Sequence, residues 1–295
     1  MDQPTIGFIG LGQLGAVIAA NLTEKGRLHQ VYNRTSSKTQ PFTTKGVKAA
    51  TTVTALASAC DIVISIVTDD QAVRQLTEGP EGIAAHLRKG GIHISMSTIL
   101  PSTATEMEQL HRRQGSLYLA CPVIGRPEAA KARKLNFCLA GETAAKQQVK
   151  DLLTDAGAVN VWDYGENTGA ANTAKLCCNF LIISAIESMA EALTLAEKSG
   201  VDKSTVMTML GETIFNCLIY NNYGKAIVEE KFLPAGFTVG LGQKDVRLVK
   251  EHADTIHLSM PFADTLALRL ANSVQAGHQD HDWTAITLDV KKGGL

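Results

Sequence analysis

The chain has 295 residues, enough for about two domains at roughly 150 residues each. Apolar residues make up 45% and charged residues 19%, which excludes a disordered chain. Lys and Arg number 28 against 29 Asp and Glu, and aromatics are 5%, so neither charge nor stacking surface favours nucleic acid or an anionic membrane.

The first residues, Met1-Asp2-Gln3-Pro4-Thr5, carry no basic segment followed by an apolar one. The most apolar stretch, 176–186, is interrupted by Asn179 and Ser184 and is shorter than the roughly 20 residues of a membrane span. A soluble, cytoplasmic protein is expected. The cysteines at 60, 121, 138, 177, 178 and 217 form no CxxC pair and read as buried, reduced thiols.

Residues 5–9 form a strand candidate, followed by a helix over 14–25 and a second strand at 30–33. The run DIVISIV at 61–67 is nearly all apolar and β-branched, as in a strand covered on both faces. Segments 91–95, 116–120, 135–140 and 160–162 repeat the theme. Strands separated by helix-length segments predict an α/β fold with a doubly wound parallel sheet of Rossmann type. Residues 168–198 contain almost no helix breaker and predict one long helix. Beyond it, helices punctuated by glycine and proline run to about residue 289. The expected division is a dinucleotide-binding domain over 1–163 and an all-helical domain over 164–295, joined by the long helix. Trp162 reads as a core residue at that junction.

The sequence IGFIGLGQLG at 6–15 places Gly10, Gly12 and Gly15 as GxGxxG, directly after a strand and opening a helix. Gly10 allows the tight turn, Gly12 lets backbone approach a pyrophosphate, and Gly15 permits close helix–strand packing. The phosphates would meet the helix N-terminus, so Leu11, Gln13 and Leu14 join the candidate cofactor site. A plain βα turn is the competing reading. At the end of the second strand, Asn33 stands where an NAD site usually has an acid, and Arg34 and Thr35 follow. A planar cation there suits a 2′-phosphate, so NADP(H) is expected over NAD(H). Alternatively, Arg34 is a solvated loop charge.

Lys175 and Asn179 are one helical turn apart among small and apolar neighbours. Desolvation lowers a lysine from about 10.4 toward the 7–8 range useful in acid–base chemistry. A lysine that snorkels from a helix end is the alternative.

Taken together, these segments resemble the β-hydroxyacid dehydrogenase family, relatives of the 6-phosphogluconate dehydrogenases, over essentially the whole chain. IGFIGLGQLG at 6–15 is similar to the family's cofactor motif, and DIVISIVTDDQAV at 61–73 to the segment whose end, Val67 and Thr68, borders the cofactor. SMSTILPSTA at 95–104 implies Thr98 as a nicotinamide-side contact. CPVIGRPEAAKARKL at 121–135 resembles the segment that approaches the substrate carboxylate, here Val123, Ile124, Gly125 and Arg126. TGAANTAKLCCN at 168–179 implies Lys175 as acid–base residue with Asn179 as its partner, both also facing substrate. GLGQKDVRLV at 240–249 implies that Lys244 reaches the nicotinamide. The resemblance implies hydride transfer between NADP(H) and a small 3-hydroxyacid or semialdehyde, in a homodimer.

The chain departs from the family at Ile124, where serine is usual, and at Arg126, Arg133 and Ala171, where glycines are usual. These changes put the standard small hydroxyacids in question. An imine reductase-like enzyme, a related branch without the lysine, and a non-catalytic NADP-binding protein are the alternatives. His278-Gln279-Asp280-His281-Asp282 follows Gly277, and no metal is expected there. Asp282 and Trp283 belong to the family's closing motif. Tyr220, Asn221, Asn222, Tyr223 and Lys225 are candidate pocket residues.

Overall fold

The computed structural model describes residues 3–293. The chain divides into two compact units, Met1–Lys175 and Leu176–Leu295. In the first, β1 (Ile6–Ile9), α1 (Gln13–Glu24), β2 (Gln30–Tyr32), α2 (Gln40–Thr43), β3 (Lys48–Ala49), α3 (Val53–Ala59), β4 (Ile62–Ser65), α4 (Asp70–Thr77), α5 (Ile83–His86), β5 (Ile92–Ser95), α6 (Pro101–Gln114) and β6 (Leu117–Ala120) follow in order. The strands form one parallel sheet, ordered β3-β2-β1-β4-β5-β6. β1, β4 and β5 are buried throughout, which is why they read as continuous apolar runs. The chain builds outward from β1 through β2 and β3, then crosses back to β4. This reversal places a topological switch point at the carboxyl ends of β1 and β4, where ligands of open α/β sheets bind.

The next elements are β7 (Val123–Ile124), α7 (Pro127–Lys131), β8 (Leu135–Leu139), α8 (Thr143–Ala156) and β9 (Ala158–Asp163). Their strands do not extend the parallel sheet as expected. They form a second sheet, ordered β7-β8-β9, with β7 antiparallel and β9 parallel to β8. A parallel crossover needs a dozen or more residues, and the short α7 connection between β7 and β8 is too brief for one. β8 touches the end of the larger sheet through the antiparallel pair Ala120–Ala140. Trp162 on β9 is not a core residue: it is 54% exposed, and its indole N–H donates to Asn136 Oδ1 at 3.0 Å.

A buried polar line crosses the first unit. Ser65 Oγ lies 2.9 Å from His93 Nε2, His93 Nδ1 3.0 Å from His111 Nε2, and His111 Nδ1 2.8 Å from Ser116 Oγ. Tyr118 stacks against His111 and meets His93 edge-on.

The helix α9 (Thr168–Lys198) begins in the first unit and continues into the second, followed by α10 (Lys203–Glu212), α11 (Leu218–Glu229), α12 (Val239–Thr255), α13 (Pro261–Gln275) and α14 (Thr287–Lys291). By length and composition α9 could cross a membrane, so its apolar character extends beyond the 176–186 stretch. Its Ile183, Ile186, Met189 and Leu193 instead join the core of the second unit with Leu266, Leu270 and Trp283. Its Glu187 forms a buried ion pair with Arg269 at 2.8 Å. Burial of the cysteines is only partial: Cys60, Cys121 and Cys138 are buried, whereas Cys177 and Cys217 are exposed.

Candidate active site

The glycine loop meets the steric requirements of its motif. Gly10 has φ +99, and a Cβ there would lie 2.0 Å from the Ile66 carbonyl oxygen. A Cβ on Gly15 would lie 2.1 Å from the Gly10 carbonyl oxygen, so α1 can approach β1 only with glycine at that position. Gly12 is the N-cap of α1 and faces open space, with nothing within 4 Å of the Cβ position. The first-turn amides of α1, from Gln13 and Leu14 onward, lack intrahelical acceptors, and no acidic residue occupies that turn. Open space over a glycine beside a positive helix end fits the pyrophosphate of a dinucleotide.

Leu11 and Asn33 are tied to one another. The Leu11 side chain is buried in the core, and its N–H donates to Asn33 Oδ1 at 2.8 Å. Asn33 Nδ2 donates to the Thr35 carbonyl at 3.0 Å. Both polar ends of Asn33 are therefore engaged in bracing the glycine loop against the end of β2. Arg34 and Thr35 are exposed beyond it.

At the end of β4, the Val67 N–H donates to Ser97 Oγ at 2.9 Å. Thr68 is exposed and donates to Asp69, which caps α4. The adjacent segment 98–101 is held from two helices. The Leu100 N–H donates to Asp70 Oδ1 of α4 at 2.9 Å, and the Ile99 N–H to Asn172 Oδ1 of α9 at 3.3 Å. Thr98 is half-buried. Lys175 lies on α9 one turn beyond Asn172 and is buried, 8% exposed.

In the substrate segment, Val123 is buried and Ile124 half-buried on β7. Gly125 has φ +148, and a Cβ there would lie 2.5 Å from Leu135 Cδ2. Arg126 is the N-cap of α7 and half-buried. Arg133 is a departure of another kind. Its φ of +53 explains why glycine suits the position. Its guanidinium turns to the Asp155 carbonyl at 2.9 Å and Glu24 Oε2 at 3.0 Å, so it fastens the end of this segment to α1 and α8. Ala171 is fully buried in a cluster with Ile99, Ala104 and Tyr118.

In the second unit, Asn179 is buried and donates through Nδ2 to Asp245. Lys244 pairs with the same carboxylate, Nζ to Oδ1 at 2.8 Å. Asp245 is 2% exposed and organises both residues, a role the sequence reading did not give it. The Lys-Asp dipeptide was visible, but the partnership with Asn179 spans 66 positions. Ser97, Asp70 and Asn172 were missed for the same reason. Of the candidate pocket residues, Tyr220 stacks on Phe215, and Tyr223 packs against Trp283. Asp282 caps the turn that carries Trp283, accepting from the Thr284 N–H at 3.2 Å. Among the described residues, no group of three or more His, Cys, Asp or Glu is arranged to hold a metal ion.

Known proteins match both halves of the chain. The NAD binding domain of 6-phosphogluconate dehydrogenase matches residues 5–165, and the NAD-binding region of NADP-dependent 3-hydroxyisobutyrate dehydrogenase matches 169–288. An uncharacterized oxidoreductase of Bacillus subtilis, YfjR, is 37% identical over 286 residues, covering 97% of this chain and 99% of its own. The cytokine-like nuclear factor N-PAC of Homo sapiens is 28% identical over 281 residues, and this chain spans 50% of its length. The 3-hydroxyisobutyrate dehydrogenase of Mycobacterium tuberculosis, solved with L-serine, superposes with a TM-score of 0.88 at 25% identity, covering 98% of this chain and 100% of that one. With the glycine cradle at the head of α1 and family matches along nearly its whole length, the chain belongs to the β-hydroxyacid dehydrogenase family and is an NAD(P)-binding oxidoreductase.

Proposed function

We propose that the protein is an NADP(H)-preferring enzyme that interconverts a small 3-hydroxyacid and its semialdehyde, with Lys175 as general acid and base. The observation that carries this reading is the burial of Lys175 on the face of α9 that holds the Thr98 segment through Asn172. The nicotinamide, when bound, supplies or accepts the hydride at the carbinol carbon. In oxidation Lys175 Nζ takes the hydroxyl proton of the substrate; in reduction it returns that proton to the carbonyl oxygen. Its charge also stabilises the developing alkoxide. Asn179, held by Asp245, is its partner, and Lys244 serves the nicotinamide side.

Preference for NADP(H) is supported by the missing acid at position 33 and by exposed Arg34 and Thr35 at the end of β2. The match to an NADP-dependent enzyme over 169–288 points the same way. Gly125 and Arg126 are the proposed carboxylate contacts, with Ile124 giving that pocket an apolar wall where a hydroxyl is usual.

The test is Lys175→Ala, assayed with NADPH against glyoxylate, succinic semialdehyde, tartronate semialdehyde and methylmalonate semialdehyde, with a cyclic imine as contrast. The expected result is a semialdehyde substrate for the wild type and a loss of about 10²–10⁴-fold in kcat for the variant, with NADPH binding retained. Near wild-type turnover by the variant would rule out the role of Lys175. Turnover of the imine alone would replace the substrate class.

A further inference from the structure

We propose that Asn172 is a positioning residue that sets Lys175 against the Thr98 segment, an inference that rests on the proposed role of Lys175. The first turn of α9 is seated on segment 98–101 at two points three residues apart. At Gly169 the approach is close enough that a Cβ would lie 3.0 Å from the Pro101 carbonyl oxygen. At Asn172 the side-chain carbonyl accepts the Ile99 N–H at 3.3 Å. Residues three apart share a helix face, so both contacts point toward the same strip of backbone. Lys175 is the next residue in that series, about 4.5 Å further along the axis.

The Asn172 contact is fully enclosed. Asn172 is 1% exposed and Ile99 0%, and Ala171 packs in the same cluster as Ile99. An enclosed N–H left without an acceptor is costly, so the segment would shift to recover one. It has little room to do so, because the next amide, Leu100 N–H, is already held by Asp70 from α4. Segment 98–100 is thus fixed in register from both sides, and Asn172 ties that register to the helix carrying Lys175. Proton transfer and hydride transfer occur on adjacent atoms of one substrate, and a misplacement of about 1 Å can cost about 10²-fold.

The experiment compares Asn172→Leu, nearly isosteric but without the acceptor, with Asn172→Asp, which keeps an oxygen at the same place. Each is measured for kcat, for the primary isotope effect with NADPH deuterated at the transferred position, for NADPH affinity and for Tm. Asn172→Leu is expected to lose 10–100-fold in kcat and to show a raised isotope effect, with NADPH affinity within twofold. Asn172→Asp is expected to recover most of the loss. Should the leucine variant fail to fold, Asn172→Ala, which also lacks the acceptor, gives the same contrast. A kcat within threefold of wild type for Asn172→Leu overturns the proposal. So does a loss in which NADPH affinity falls as far as kcat, or an aspartate variant as slow as the leucine one. Lys175→Ala in parallel separates the two readings: if it is inactive while Asn172→Leu is normal, only the positioning role fails, whereas an active Lys175→Ala removes the reading beneath it.

Discussion

At Gly10 the backbone turns at φ +99 beneath the Ile66 carbonyl, and no side chain fits between them. Gly10→Ala should lower NADPH affinity by at least tenfold and reduce Tm, readable by fluorescence titration and thermal unfolding. Arg34 stands outside that steric frame. Arg34→Ala should raise the KM for NADPH about tenfold and leave the KM for NADH nearly unchanged, as loss of a 2′-phosphate contact would. A parallel rise in both constants would contradict that role. The glycine loop was legible because its requirement is local and its spacing short. The tie between Asn33 and the Leu11 amide was not legible, because they lie 22 residues apart and sequence spacing does not show which way an amide side chain turns. The fastening role of Arg133 was not legible either, because sequence spacing does not show that its guanidinium reaches Asp155 and Glu24.

The elements themselves were largely visible, but their pairing was not always. Apolar β-branched runs identified β1, β4 and β5, and the absence of breakers identified α9. The second sheet escaped because β8 and β9 are parallel and joined by a helix, as in the larger sheet, while the break comes from the short antiparallel strand β7 before them. Asn21 shows how this second sheet is anchored. From α1 its Nδ2 donates to the Ala130 carbonyl on α7 at 3.0 Å and to the Ala156 carbonyl on α8 at 3.1 Å. Asn21→Leu leaves both buried carbonyls short of a donor and should cost about 1–3 kcal/mol in urea unfolding. NADPH affinity should change little, because the glycine loop lies at the opposite end of α1.

For the whole molecule, burial lowers His93 well below the ordinary histidine value and His111 to about 4, with the charge of each ring opposing that of its neighbour at His93. Tyr118, its own pKa raised by burial, and the Ser65 and Ser116 hydroxyls complete the surroundings of the pair. The unfolded chain therefore binds protons first as pH falls through about 6.5. Stability is full above that value and is lost toward pH 4, His111 alone accounting for on the order of 3 kcal/mol. Urea midpoints at pH 7.5 and 5 should fall with acid, and His111→Asn should weaken that dependence. The proposed homodimer is a second matter of scale. Leu181, Leu195, Met209, Ile214 and Leu218 are exposed on the second unit and are the apolar side chains a second copy would cover. Sedimentation at micromolar concentration should give twice the chain mass of 31.5 kDa. A monomer would contradict it.

The histidine line also has a sense of direction. Ser116 Oγ lies 2.8 Å from His111 Nδ1 and 3.4 Å from the His111 carbonyl, and its single hydrogen can go to only one of them. With that hydrogen on the carbonyl, His111 carries its own on Nδ1 and presents a bare Nε2, which takes the Nδ1 hydrogen of His93. His93 in turn presents a bare Nε2 to the Ser65 hydroxyl. Both rings then hold the rarer neutral tautomer, with hydrogen on Nδ1; with the Ser116 hydrogen on the imidazole instead, both carry it on Nε2, and nitrogen-15 shifts tell the two apart. The placing of one hydroxyl hydrogen at the edge of the line thus orders every hydrogen along it, as far as β4, the strand that leads to Val67 and Thr68.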